Sequence, residues 1–404
     1  MAVDTTAGSR ARSRGPADKW ILAPIVAMAA LGTLMIYSVT FGETFRAGGS
    51  SYYYLLRHLQ WLLLGSVALF VCARIDYHHW RRFSVPLMLI ALLALAVVVF
   101  APESVSPVIK GARRWIVIGP FSAQPSEFAK LAFVIYAAHW LSQRGEKVSN
   151  LWYGLVPFGI MLGIVVGLVE LEPDLGTSLV FAMIGGCMFF VAGAHLLQMF
   201  GGIATALGAF TLLIFSASYR INRLSIFLDP WRDPTNLGYQ PIQALLALGS
   251  GGLFGMGIGA SRQKFGWLPE AHTDSIMAVI GEELGFVGSV VVVAMVVMLA
   301  ARGFGTALRA RDSFGALLAA GVTAWIVGQA SLNIAVITLT VPFTGIPMPF
   351  ISYGGSSLVV LMAAVGILIN VSKYTHPAEP ASGWIMRRRP DVRPTRRSMR
   401  HGRV

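Results

Sequence analysis

The chain has 404 residues, of which 55% are hydrophobic and only 13% charged, against roughly 25% charged in an ordinary soluble domain. So few charges cannot cover a surface in water, which excludes a soluble enzyme. The formal net charge of +13 does not point to nucleic acid, because nine of the basic residues (Lys373, Arg387, Arg388, Arg389, Arg393, Arg396, Arg397, Arg400 and Arg403) fall after position 372. On a membrane protein a basic tail marks the cytoplasmic face and anionic lipid.

The apolar stretches run for roughly 17 to 25 residues without a charge, the length at which one helix crosses hydrocarbon. A membrane barrel would instead show short alternating segments, and only helices satisfy their own backbone within one span. The expected fold is an all-α polytopic membrane protein of about ten helices. Cys72 and Cys187 lie inside apolar runs and read as small buried hydrophobes. The eight histidines form no metal-ligand pair at helical spacing, so no zinc site is expected.

In chain order, residues 1–19 form a polar, basic tail with Arg10, Arg12, Arg14 and Lys19, and 20–41 form an apolar run too long for a cleavable signal core. Further spans are expected at about 53–74, 83–101, 126–142, 152–170, 175–194, 196–217, 276–300, 314–340 and 351–371. Residues 20–374 thus form one membrane domain, with a long extracytoplasmic loop over 218–275 between the seventh and eighth spans and a basic tail over 375–404. An even count places both termini on one side. The basic residues of both tails and of the connections at Arg74, Arg81, Arg82, Arg144, Lys147, Arg302, Arg309 and Arg311 assign that side to the cytoplasm.

Two outer loops carry basic residues against this bias: Lys110, Arg113 and Arg114 in 102–125, and Arg220, Arg223, Arg232, Arg262 and Lys264 in 218–275. Short loops tolerate a few such charges and long ones cross regardless. The functional alternative is an anionic ligand, such as a lipid phosphate, held at the outer leaflet.

Three places put ionisable groups at or inside hydrocarbon, where each is costly. In Gln124-Pro125-Ser126-Glu127-Phe128-Ala129-Lys130, Pro125 and Ser126 suit a helix start, and Glu127 and Lys130 lie one turn apart on one face. They either neutralise each other structurally or bind substrate. In Glu170-Leu171-Glu172-Pro173-Asp174, three carboxylates crowd an outer turn and raise one another's pKa unless a cation joins them. Glu172 and Asp174 are therefore candidate ligands of a divalent cation, Mg2+ or Mn2+, against an ordinary solvated turn or an ion pair with a basic residue elsewhere.

The third place is Trp267-Leu268-Pro269-Glu270-Ala271-His272-Thr273-Asp274, which runs into Gly281-Glu282-Glu283-Leu284-Gly285. Asp274 stands where an N-cap would. Capping does not explain Glu282 and Glu283, two turns deeper in an apolar helix; they need partners, for which Lys130 and the outer arginines are the candidates. The glycine-rich 249–259 follows no strand and lacks the Lys-Ser/Thr ending of a nucleotide loop, so it reads as re-entrant, closely packed backbone. The turn Ile346 to Ser357 brings prolines, glycines and hydroxyls to the start of the last span, where Ser and Gly usually serve packing.

At these residues the chain resembles the SEDS family of bacterial cell-wall polymerases, whose members include FtsW, RodA and SpoVE. The resemblance covers Trp20 to Tyr374. It rests on Gly111-Ala112-Arg113-Arg114-Trp115, Pro125 to Lys130, Pro173-Asp174-Leu175-Gly176, Leu268 to Asp274 with Gly281 to Gly285, and Ser352-Tyr353-Gly354-Gly355-Ser356-Ser357. The Gly238-Tyr239-Gln240 and Pro269 to Asp274 strings look closer to the division member FtsW than to the elongation member RodA. Ser275-Ile276-Met277 departs from the family's usual Phe-Ile-Phe.

The resemblance implies a peptidoglycan glycosyltransferase that polymerises lipid II at the outer face of the plasma membrane. Its expected partners are a class B penicillin-binding protein and other divisome or elongasome membrane proteins. By the same resemblance Asp274 carries the family's essential aspartate, and Glu127 and Lys130 its intramembrane pair. Asp274 is then the expected general base, with Arg113, Arg114, Glu127, Lys130, Lys264, His272 and Ser352 as expected substrate-binding residues and no organic cofactor. The rival readings are a transporter or flippase of lipid-linked precursors and a non-catalytic scaffold that activates its partner.

Overall fold

A computed structural model of the protein describes residues 15–46, 52–109, 111–119, 121–215 and 218–375. Lys110, residues 1–14 of the basic N-terminal tail and residues 376–404 of the C-terminal tail lie outside the described residues. The ten expected spans are α1 (Lys19–Arg46), α2 (Tyr53–Arg74), α3 (His78–Phe100), α4 (Pro125–Ser142), α5 (Val156–Leu171), α6 (Leu175–Val191), α7 (Leu196–Phe215), α10 (Ile276–Arg309), α11 (Ser313–Ile337) and α12 (Gly355–Ser372). Seven of these are long and apolar enough to cross a membrane, if the turn Leu151–Leu155 is counted with α5. Helices α6 and α7 are shorter apolar segments, and α4 is 18 residues long and carries Glu127 and Lys130.

The long connection between α7 and α10 holds two further helices, α8 (Ser218–Leu228) and α9 (Tyr239–Ser250). The connection before α4 folds into a hairpin, in which β1 (Ile116–Ile118) pairs antiparallel with β2 (Phe121–Ala123), Ile116 opposite Ala123. Chain direction alternates from span to span, so the connections 101–124, 172–174, 218–275 and 338–354 gather on one face. The opposite face carries both described chain ends. There Arg302 pairs with Asp18, and the Gly15 amide donates to the Lys373 carbonyl at 2.8 Å.

Helix α11 packs against α4, α6, α10 and α12. It is the most buried of the seven spanning helices. One helix is not what its apolar run suggests. Residues 276–300 read as one continuous span, but α10 is broken at Gly285, whose φ of 70° and ψ of −165° leave the helix. The re-entrant glycine segment supplies the missing partners: the Met256 and Gly257 amides donate to the Glu282 and Glu283 carbonyls, and the Phe286 and Val287 amides donate to the Gly252 and Leu253 carbonyls. Irregular backbone inside a membrane protein is tolerated where protein satisfies it in this way. The approach excludes side chains, since a Cβ on Gly255 (φ +81°) would stand 2.1 Å from the Glu283 carbonyl oxygen.

Candidate active site

On the face that carries the long connection, the helices open into a cavity of about 760 Å³. Its walls come from several outer segments. The 101–124 loop gives Arg114, α4 gives Glu127 and Lys130, the start of α6 gives Asp174 and Thr177, α8 gives Arg223, and the approach to α10 gives Glu270, Thr273 and Asp274. Of the residues expected from the sequence, Arg114, Glu127, Lys130, Asp174 and Asp274 converge here although they span 161 positions of the chain.

At the floor, the Lys130 ammonium donates to Glu127 Oε1 at 2.8 Å and to Gln329 Oε1 at 2.9 Å. It lies 5.1 Å from the centre of the Trp325 ring. The other oxygen of Glu127 accepts from Ser357 Oγ at 2.9 Å. Gln329 is itself fixed, accepting from Trp325 Nε1 and donating to the Pro347 carbonyl. Each charge is thus both paired and hydrogen-bonded, the condition under which a buried ion pair is tolerated.

Asp274 sits at the cavity wall one residue before the cap of α10. Ser275, not Asp274, holds the N-cap position, so capping does not account for this aspartate. Its backbone is held from α11, where Asn333 Nδ2 donates to the Asp274 carbonyl at 2.8 Å and to the Ile346 carbonyl at 2.6 Å. Gly345 lies directly against its carboxylate, since a Cβ there would stand 3.2 Å from Asp274 Oδ2. Gln329 and Asn333 were not legible as site residues, although two amides four apart in an apolar helix are a signal for an inward polar face.

The acidic turn is arranged differently from a bare carboxylate cluster. Asp174 caps α6, accepting from the Thr177 amide at 3.1 Å and the Thr177 hydroxyl at 2.9 Å. Arg114 donates to the Glu172 and Pro173 carbonyls, and its Nε lies 3.9 Å from Asp174 Oδ2. The basic partner is therefore a loop arginine. Among the described residues no group of three or more His, Cys, Asp or Glu side chains converges as a metal site. A hard cation takes about six oxygens, so Glu172 and Asp174 alone do not make a protein cage for one.

Glu172 is buried in this turn, and neither of its carboxyl oxygens accepts a hydrogen bond among the described residues. Burial, reinforced by Asp174 and opposed by Arg114, pushes its pKa up from 4.5 to about 9. The unfolded chain loses this proton near pH 4.5 while the folded chain keeps it to about pH 9, so stability is full below pH 4.5 and is lost as pH rises towards 9. Glu172→Gln is expected to remove that loss, giving a higher melting temperature than the parent at pH 8 and a flatter profile. Thermal unfolding in detergent from pH 5 to 9 measures it.

Four expected substrate contacts lie outside the cavity lining. Arg113 pairs with the exposed Glu103 at 2.9 Å. Lys264 is buried against Glu283 at 2.7 Å and against Ser38 Oγ of α1 at 2.8 Å. With Ser261 Oγ and the Arg262 amide on Glu282, this pins the 261–264 segment to α10 and answers the need of the two glutamates. Their partners come from the re-entrant loop and from Ser38 of α1, and among the described residues Lys264 supplies the one cationic side chain paired with them. His272 packs between Tyr54 and Tyr353, with ring centres 5.4 and 5.9 Å away. Ser352 accepts from the Met348 amide and donates to the Thr273 carbonyl, which ties the last outer turn to the Asp274 segment.

Fold and site together define a polytopic helical membrane protein with a cavity at one membrane face lined by the cations of Arg114, Lys130 and Arg223 and by four carboxylates, Asp274 among them. The chain belongs to the cell cycle protein family of FtsW, RodA and SpoVE, whose profile matches residues 19–377. It is 40% identical over 358 residues to the probable peptidoglycan glycosyltransferase FtsW of Trichlorobacter lovleyi, covering 88% of this chain and 93% of that protein. It is 42% identical to stage V sporulation protein E of Bacillus subtilis, covering 85% and 94%. Among solved structures it resembles the rod shape determining protein RodA of Thermus thermophilus, with a TM-score of 0.65, 28% identity and coverage of 90% and 98%. It also resembles a chain from a study of polymerization and crosslinking by a peptidoglycan synthase complex, with a TM-score of 0.69, 29% identity and coverage of 88% and 97%.

Proposed function

We propose that this chain is a peptidoglycan glycosyltransferase that polymerises lipid II, with the cavity face directed away from the cytoplasm and both termini within it. The observation that carries the reading is the convergence of Asp274 with Arg114, Lys130 and Arg223 around one cavity. A lipid-linked disaccharide brings a pyrophosphate and a sugar hydroxyl to the membrane surface, and the cavity offers cations to the first and a carboxylate to the second.

In this reading Asp274 takes the proton of the acceptor's 4-hydroxyl as that oxygen bonds to the anomeric carbon of the donor. The bond to the lipid pyrophosphate breaks on the opposite side, and configuration inverts. Arg114, Arg223 and Lys130 neutralise the departing diphosphate. If a divalent cation takes part, Glu172 and Asp174 would hold it, and it would supply further positive charge against the departing diphosphate. The basic residues on the opposite face, from Arg74 to Arg311, support the orientation. A class B penicillin-binding protein is the expected partner, in keeping with the synthase complex among the similar structures.

The test is the purified chain in vesicles with lipid II, with and without a chelator and with the partner absent or present. Glycan strands formed when the partner cannot itself polymerise support the enzyme. Transbilayer movement of lipid II without polymer overturns it in favour of a transporter, and polymer made only by the partner overturns it in favour of a scaffold.

A further inference from the structure

Lys130 is buried, yet it forms part of the cavity wall. Its ammonium has three hydrogens to give. Glu127 Oε1 takes one and Gln329 Oε1 takes another, and the third has no hydrogen-bond acceptor among the described residues. Two anchors fix the rotation of the ammonium about its stem, so the direction of the third hydrogen follows from where those anchors stand. Glu127 shares α4 with Lys130 and moves with it. Gln329 belongs to α11, so the contact with Gln329 is the one that tertiary packing uses to set the aim.

Gln329 can serve only one way round. The Lys130 ammonium and Trp325 Nε1 are both donors, and Gln329 Oε1 accepts from them at 2.9 and 3.0 Å. Gln329 Nε2 donates to the Pro347 carbonyl at 3.1 Å. Reversing the amide would set donor against donor and acceptor against acceptor. One helical turn further along α11, about 5.4 Å, Asn333 donates to the Ile346 and Asp274 carbonyls. Two amides of one helix thus grip the successive carbonyls of Ile346 and Pro347. From the same helix one of them reaches the Lys130 ammonium and the other the backbone of Asp274. Of the spanning helices α11 is the most buried, and side chains on a packed helix are placed more exactly than side chains on loops.

We infer that Gln329 is a positioning residue that aims the third hydrogen of Lys130 at the diphosphate of the substrate and, with Asn333, holds that cation in register with Asp274. The inference rests on the reading of the cavity as a site for a lipid-linked diphosphate. An inverting displacement puts the attacking and departing oxygens on opposite sides of the anomeric carbon. The group that takes the proton and the group that meets the diphosphate must therefore keep a fixed separation, and α11 supplies it.

The experiment is equilibrium binding of farnesyl diphosphate, and of farnesol as its uncharged counterpart, to the purified full chain in detergent, with the melting temperature of each preparation. The chains compared are the parent, Gln329→Met, Gln329→Asn, Glu127→Gln/Lys130→Met, and that double variant with Gln329→Met added. Gln329→Met removes the anchor. Gln329→Asn keeps an amide but draws it back by one methylene, and it decides the outcome if Gln329→Met melts well below the parent. Both are expected to weaken farnesyl diphosphate binding about tenfold or more, the usual worth of a charge-assisted hydrogen bond, and to leave farnesol within about twofold. Without Lys130, adding Gln329→Met is expected to cause no further loss, because Gln329 acts through that ammonium. Parental affinity for the diphosphate in Gln329→Asn, an equal loss for farnesol, or a further loss in the triple variant overturns the inference and leaves the diphosphate reading standing. A parent chain that binds the diphosphate no better than farnesol overturns both.

Discussion

Replacing Asp274 with asparagine is expected to lower the rate of glycan polymerisation by about 10²- to 10⁴-fold, the usual worth of a positioned general base. The loss should fall on kcat, because the cations proposed to hold the pyrophosphate are untouched. The fold should survive the change, since the main chain here is held independently of the carboxylate: Asn333 donates to the Asp274 carbonyl, and the α10 cap belongs to Ser275. Product length and amount on gels, beside melting temperature and elution volume, separate a dead enzyme from a misfolded one. Near-parental polymerisation by Asp274→Asn would remove the general base from the mechanism.

The second large effect concerns Lys130. Removing it alone leaves the Glu127 carboxylate buried with Ser357 as its remaining donor among the described residues, and breaking one half of a buried ion pair costs about 3–5 kcal/mol. Lys130→Met is therefore expected to be poorly folded, which by itself says nothing about substrate. The double variant Glu127→Gln/Lys130→Met removes both charges, and its stability is expected to return close to that of the parent. If Lys130 also neutralises the diphosphate, as its place in the cavity wall suggests, that restored protein should still be nearly inactive. A double variant that is both stable and active would reduce the pair to scaffolding. Chemical unfolding and a polymerisation assay on the same preparations decide it.

Much of this arrangement could be read along the chain because membranes impose simple rules. A run of about twenty apolar residues has one stable solution in hydrocarbon, and all ten expected spans are helices. A charge inside such a run is conspicuous, which is how Glu127, Lys130, Glu282 and Glu283 stood out. The pairing of those charges was not legible. Glu282 and Glu283 differ from Glu127 only by position, yet they anchor the re-entrant loop, whereas Glu127 lines the cavity. Arg113 and Arg114 are neighbours, but one reaches the exposed Glu103 and the other holds the turn at Asp174. Neighbouring side chains leave an irregular loop in different directions, and no periodicity records which one turns inward.

The break in α10 belongs to the same class of hidden feature. Gly285 sits in a run apolar enough to cross the membrane. Only the approach of residues 252–257 offers the hydrogen bonds that let the helix open there. Composition and apolar run length by themselves determined that this is a helical membrane protein, with its costly charges towards one end of the bundle, because solvation penalties act on each segment separately. Tertiary structure alone decided which charges share the cavity, and that Asn333 and Gln329 of α11 hold it in shape. Those are contacts between segments far apart in the chain, and they exist only once the helices have packed.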